Sequence, residues 1–196
     1  MSDRETLAVY ADKARDYATK FTSLEPDETL RGFIAALPDN ARVLDLGCGP
    51  GNAAAAMRNV GITVDAWDAS PEMGEMAKAM FNIDVKVAAF EALQATSLYD
   101  GIYANFSLLH APKSDMPAHL DRISKALKPT GIFHIGMKTG SGEQRDQLGR
   151  FYAYYEESEL IELLEGVGLR AVRKSTGAEE GLDGTVAPWI TILASK

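Results

Sequence analysis

Val43-Leu44-Asp45-Leu46-Gly47-Cys48-Gly49-Pro50-Gly51 is the stretch from which the fold can be read. A short apolar run of strand length passes into three glycines spaced two residues apart, and the alanine-rich Asn52–Asn59 behind them reads as a helix. A strand, a glycine-rich turn and a helix in that order let backbone approach a ligand closely at the carboxyl end of a sheet. Amide N–H groups gathered at a helix start suit an anionic group such as a carboxylate or phosphate. Asp68, 21 residues after Gly47, closes the next strand. A carboxylate there can accept both hydroxyls of a ribose, so the pair points to a nucleoside-bearing ligand.

Outward from this turn the pattern alternates. Arg42–Leu46, Ile62–Trp67, Ile83–Val87, Tyr99–Asn105 and Ile132–Lys138 read as strands. Ser70-Pro71 opens a helix, with serine suited to the cap and proline to the first helical position. Met73, Met76, Ala77 and Met80 mark its buried stripe. A further helix runs from about Asp115 to Leu127 with Leu120, Ile123 and Leu127 inward. Later, Leu160, Leu163, Leu164 and Val167 form a helical stripe ending at Gly168. Strands then follow at Leu169–Ser175 and Val186–Ala194, joined by the Gly-rich connection Thr176–Thr185. Strands alternating with helices imply right-handed crossovers and a mainly parallel sheet covered on both faces, an α/β three-layer sandwich.

The amino-terminal segment is amphipathic. Leu7, Tyr10, Ala11, Ala14, Tyr17, Ala18 and Phe21 fall on one helical stripe, and Ser2 with Glu5 fits a capping box. Glu25-Pro26-Asp27 breaks it, and a second short helix runs to Leu37. With 196 residues, 46% of them hydrophobic, the chain has the size of one domain. Its 28 acidic and 20 basic residues give a charge of −8, which argues against unaided binding to a nucleic-acid backbone. The lone Cys48 makes no internal disulfide, and no Cys/His spacing suggests a metal site. The charged start is not a signal peptide, and no apolar run approaches the ~20 residues of a membrane span. The expectation is a cytoplasmic, single-domain protein.

The glycine turn with the segments downstream of it resembles the class I S-adenosylmethionine-dependent methyltransferases. The resemblance rests on residues 43–51, on Val64–Met73 with Asp68, on Tyr99–His110, and on Ala126-Leu127-Lys128-Pro129-Thr130-Gly131. These four motifs stand in the family's order over residues 40–138. The resemblance implies a Rossmann-like seven-stranded sheet of order 3-2-1-4-5-7-6 with strand 7 antiparallel. It also implies an amino-terminal helical lid (residues 1–38) over a cofactor-binding core (40–138), with 139–196 on the acceptor side.

The implied cofactor is S-adenosyl-L-methionine, left as S-adenosyl-L-homocysteine. Gly47, Cys48 and Gly49 would face its methionine part and Asp45 would orient the amino group. Asp68 would hold the ribose, Ala69 and Met73 would line the adenine pocket, and Phe90 and Glu91 would border the ring. Asn105 and Phe106 would stand near the transferred methyl group.

Two departures from the family pattern stand out. Where the family often has an acid after the third strand, this chain has Ala89, and Glu91 is the candidate substitute. Thr130 replaces the first glycine of the family's Lys-Pro-Gly-Gly turn, which favours a type I turn because threonine disfavours positive φ.

The remaining residues divide between chemistry and architecture. His110 is a weak candidate base and is read chiefly as shaping the site. Cys48 between glycines is a steric requirement, and His119 and His134 are assigned nothing. Tyr10 and Tyr17 are read as core. The charged segment Lys138–Asp146, with Gly149–Tyr155 after it, is a candidate acceptor pocket or lid, or else a surface network with packed aromatics.

The reading is therefore a methyltransferase acting on a small molecule, with no general base required for an amine or thiolate acceptor. Three alternatives stay open. One is a methyltransferase on tRNA or protein, if Arg145, Arg150, Arg170, Arg173 and Lys174 gather on one face. The others are a nicotinamide oxidoreductase, weakened because the third glycine comes one residue early, and a non-catalytic cofactor sensor.

Overall fold

A computed structural model describes residues 3–20 and 25–196, with backbone only for 14–20. Ser2 and Phe21, and the side chains of Ala14, Tyr17 and Ala18, lie outside the described residues. The chain runs α1 (Arg4–Lys20), α2 (Glu28–Ala35), β1 (Arg42–Leu46), α3 (Asn52–Asn59), β2 (Thr63–Asp68), α4 (Pro71–Phe81) and β3 (Val85–Val87). It continues through β4 (Tyr99–Asn105), α5 (Met116–Ala126), β5 (Leu127–Lys138), β6 (Glu143–Arg145), β7 (Phe151–Ala153), α6 (Glu157–Glu165), β8 (Arg170–Glu180) and β9 (Val186–Ser195).

Seven strands form one sheet in the order β3-β2-β1-β4-β5-β9-β8, and β6 pairs with β7 in a separate ribbon. Counted within the large sheet, this is the expected 3-2-1-4-5-7-6. The first five strands are parallel, while β9 runs antiparallel to both β5 and β8.

The two-residue period of a strand explains why β1 is apolar almost throughout. Leu44 and Leu46 join the larger core with α5 and α6, through Leu120, Ile123, Leu160 and Leu164. Val43 points to the other face and packs with Phe33 of α2 and Met57 of α3. Asp45 shares the Val43 face and is the one charged residue among four buried positions of this strand.

Local capping follows the sequence closely. Ser70 Oγ accepts the Met73 N–H at 3.2 Å with Pro71 in the first turn of α4, as expected. Asp3 accepts the Thr6 N–H at 2.8 Å, so it does the work assigned to the Ser2–Glu5 box.

Four expectations are corrected. Thr130 has φ +64, not the negative φ of a type I turn. Leu127 pairs with Tyr99 and Ile132 with Gly101, so four residues of β5 lie opposite the single Asp100. The surplus must loop out, and the loop imposes its dihedral on threonine. The connection Thr176–Thr185 is shorter than read, because β8 continues to Glu180 and pairs residue by residue with β9. Met80 is exposed, since α4 covers a three-residue edge strand that its last turn overhangs. Tyr10 is not core: it lines the cavities described next.

Candidate active site

The glycine turn owes its shape to three left-handed residues, Gly47, Gly49 and Gly51, at φ +79, +53 and +83. The Gly47 and Cys48 N–H groups both donate to Trp67 O, at 2.8 and 2.9 Å. A Cβ on Gly47 would lie 2.3 Å from Ser107 Cβ, and Ser107 Oγ donates to Leu46 O at 2.6 Å. Glycine at 47 is therefore needed for both its dihedral and its clearance.

Asp68 fastens this turn to the next. Its Oδ2 accepts the Gly49 N–H and its Oδ1 the Ser70 N–H, each at 2.8 Å. Burial raises its pKa, opposed by those backbone donors. Asp45 is more exposed energetically than spatially. It is 2% accessible and its Oδ2 has no hydrogen-bond partner among the described residues. Burial first, and the Asp68 charge second, push its pKa up to about 7. The Ala54 backbone N–H opposes that rise, and the unpaired Oδ2 suits a cationic ligand group.

Two connected cavities open here, a narrow cleft of about 100 Å³ and a wider one of about 390 Å³. Tyr10, Gly47, Gly49, Asn105, Phe106 and His110 line both. Asp68, Ala69, Met73, Phe90 and Glu91 line the cleft, while Asp45 and Cys48 line the wider cavity. All eleven residues expected to bind cofactor thus meet on one continuous wall. Ala89 is not part of it, whereas Glu91 is.

The structure adds His119, His134 and Trp189, to which the sequence assigned no role, and brings Lys138, Arg150 and Tyr152 of the candidate acceptor segment to the wider cavity. His119 lines the cleft, buried, with Nδ1 lacking a partner among the described residues. His134 Nε2 lies 2.9 Å from Asn105 Oδ1, and its ring stacks on Tyr103 at 4.4 Å, so it sets the Asn105 amide. A Cβ on Gly136 would come within 2.5 Å of the same oxygen. Trp189, Lys138, Arg150 and Tyr152 line the wider cavity. Only the β5–β9 and β6–β7 pairings place them there, and nothing in the local sequence announced Trp189.

His110 is held from both sides. Its Nδ1 lies 2.6 Å from Phe151 O, which requires the Nδ1–H tautomer, leaving Nε2 to accept the Tyr10 hydroxyl at 2.8 Å. Burial lowers its pKa to about 4. A neutral imidazole with its lone pair committed is a structural member of the wall, not a ready base. Cys48 is likewise inert, because burial raises its thiol pKa well above the usual range.

The first turns of α1 lie across these cavities and are tied to the β6–β7 ribbon. Arg145 donates to both Asp3 oxygens, at 2.9 and 2.8 Å, and stands 3.3 Å from Glu5. Thr6 Oγ1 accepts the Phe151 N–H at 2.8 Å. The Arg145 guanidinium holds the Asp3 carboxyl well below its usual pKa.

The sequence profile of a methyltransferase domain matches residues 17–177. The chain belongs to this methyltransferase family. It is 34% identical over 108 residues to ubiquinone biosynthesis O-methyltransferase of Xanthomonas oryzae pv. oryzae, covering 50% of this chain and 44% of that protein. It is 35% identical over 125 residues to trans-aconitate 2-methyltransferase of Enterobacter sp., covering 61% and 48%. The methyltransferase domain here thus spans about half the length of the curated relatives it matches. Among solved structures, the 1,6-didemethyltoxoflavin-N1-methyltransferase of Burkholderia thailandensis superposes with TM-score 0.75 at 23% identity, over 98% of this chain and 87% of that one. That structure holds S-adenosylhomocysteine and 1,6-didemethyltoxoflavin. At this identity the likeness establishes the shared methyltransferase fold.

Proposed function

We propose that this chain moves a methyl group from S-adenosyl-L-methionine to a small-molecule acceptor by in-line displacement. The observation that carries the reading is the buried Asp45 carboxylate, its Oδ2 without a hydrogen-bond partner among the described residues, beside a turn of left-handed glycines, with Asp68 at the far side of the same turn. A molecule with an ammonium group at one end and a ribose in the middle fits that set of donors and acceptors. The cofactor supplies an electrophilic methyl group on a sulfonium.

This chain's residues do the rest by holding. Asp45 takes the amino group. Asp68, oriented by backbone N–H groups of both turns, keeps acceptor capacity for the ribose hydroxyls. Ala69, Met73 and Phe90 give the adenine an apolar slot, with Glu91 and His119 at its polar edge. Asn105, fixed by His134, and Phe106 stand where cleft and cavity meet, at the place of the methyl group. Alignment of donor and acceptor can supply ~7–11 kcal/mol of the barrier. Because His110 is neutral and committed, the acceptor is one that presents its nucleophile without a strong base.

The macromolecular alternative needs a basic face, and three of its five candidate cations are engaged. Arg145 pairs with Asp3, Arg150 with Asp146, and Lys174 with Glu157. No helix among the described residues is long and apolar enough to cross a membrane. A cytoplasmic methyltransferase unit, with α1 as lid, is the reading we favour.

Calorimetry should show micromolar binding of S-adenosylhomocysteine, weakened about a hundredfold in Asp68→Ala. Normal affinity in that variant refutes the site. Mass spectrometry of a metabolite extract incubated with isotopically labelled methyl donor then reads out the acceptor.

A further inference from the structure

The two cations of the wider cavity are not alike. Arg150, 2% exposed, is neutralised by Asp146: Nε donates to Oδ2 at 2.8 Å, and Nη2 lies 2.6 Å from the same oxygen. The ammonium of Lys138, half-buried at the end of β5, makes no hydrogen bond and no ion pair among the described residues. Its ammonium lies 4.1 Å from the centroid of the Tyr152 ring, which the Arg150 guanidinium also covers at 5.3 Å. Two cations thus flank one phenol, and only one of them has a carboxylate in contact.

The other acids of this region do not fill that place. Asp183, at the tip of the β8–β9 hairpin, acts on Lys138 through its charge, as Asp146 does, but makes no contact ion pair with it, and its Oδ1 accepts the Thr185 N–H at 3.1 Å. Glu179 and Glu180 are exposed at the rim, where solvent screens them.

The walls beside Lys138 are flat and aromatic. Trp189 pairs directly with Lys138 in the β5–β9 ladder, so the two side chains leave the same face of the sheet. Gly177, opposite Trp189 on β8, leaves the room the indole needs: a Cβ there would lie 2.4 Å from the ring. The Phe106 ring meets the indole edge-on at 6.3 Å.

We infer that the acceptor is an organic oxyanion: a planar, conjugated molecule whose carboxylate or enolate oxygen is held by Lys138 Nζ, with its plane along the Trp189 indole and its edge toward the nearly perpendicular Phe106 ring. The inference rests on the methyltransferase reading and names its substrate class. A half-buried ammonium with no carboxylate in contact gains from an anion that joins it, the more so when a cationic sulfonium occupies the adjoining cleft. An anionic acceptor is such an anion, and its affinity then depends on the donor being present. Lys138 is a specificity-determining residue in this arrangement, distinct from the groups that hold the cofactor.

The test is calorimetry on the full chain, first with S-adenosylhomocysteine alone and then, in its saturating presence, with benzoate and benzamide. These probes share a ring and differ in charge. Benzoate is expected to bind at least about tenfold more tightly than benzamide. Lys138→Met should erase that preference while leaving S-adenosylhomocysteine affinity unchanged, and Lys138→Arg should keep most of it. Equal affinity for the two probes, a preference that survives in Lys138→Met, or no benzoate binding up to about 10 mM overturns the inference. The first titration keeps the claims apart. Uptake of S-adenosylhomocysteine without discrimination removes only the oxyanion, whereas failure to take it up removes both readings.

Discussion

The cleft and the wider cavity share a wall but are built by different means. The cleft is made largely of backbone: left-handed glycines, N–H groups gathered on Asp68 and on Trp67 O, and a cap at Ser70. The wider cavity is made of long side chains, Lys138, Arg150, Tyr152 and Trp189, brought in from the end of β5, a ribbon and a hairpin. Backbone cradles tolerate almost no substitution, because each contact fixes a dihedral or a clearance. A side-chain cavity can change its occupant by exchanging one residue. The same fold can hold one cofactor constant and vary the acceptor.

That contrast predicts a hierarchy of effects. The largest belongs to Gly47→Ala, which combines a φ of +79 with a methyl group 2.3 Å from Ser107 Cβ. Affinity for S-adenosylhomocysteine should fall at least about a hundredfold by calorimetry, and Ser107→Gly in the same chain should restore part of it. Full affinity in Gly47→Ala would show that the cradle is not rigid, and would dissolve the comparison.

Next comes the pH dependence of Asp45. Its folded-state pKa of about 7 exceeds the ordinary 3.8, so the fold favours the protonated acid. Stability from this group is therefore fully present below pH 3.8 and is lost as pH rises through about 7. Binding of an ammonium group runs the opposite way, because it requires the carboxylate. Affinity should climb by up to about tenfold per pH unit on approaching pH 7 from below, then level off. Asp45→Asn should flatten that profile, weaken binding, and raise the melting temperature at pH 8.

A smaller effect is expected where the two halves are fastened. Arg145→Ala removes the exposed ties to Asp3 and Glu5 but touches neither cavity wall on the sheet. Stopped-flow should show S-adenosylhomocysteine leaving about two- to fivefold faster, with the wild-type rate drifting toward the variant's as salt is added. Smallest of all, Thr130→Gly relieves a β-branched residue at φ +64 on an exposed loop. The gain should be about 0.5–1 kcal/mol in denaturant unfolding, less than the full strain because glycine has more entropy to lose. Ligand affinities should not move.

The same contrast governs what the sequence disclosed. Residues 43–51, Asp68 and Ser70-Pro71 carry their conformations in local chemistry, so β1, α3 and the start of α4 were legible to the residue or nearly so. Lys138 and Trp189 are 51 residues apart and become neighbours only through the β5–β9 register. Tyr10 looked like core because an apolar helix stripe does not say whether it faces a protein interior or a cavity. Thr130 shows the limit of turn rules, since a surplus of residues opposite Asp100 overrode the side chain's preference.

The ties of α1 reach further than a lid's closure. Leu7 and Tyr10 roof the cleft, while Asp3, Thr6 and Tyr10 are anchored to Arg145, Phe151 and His110 on the other side. Displacing the helix breaks contacts that frame the cleft and the wider cavity together. Opening of the two cavities is therefore coupled mechanically through one helix.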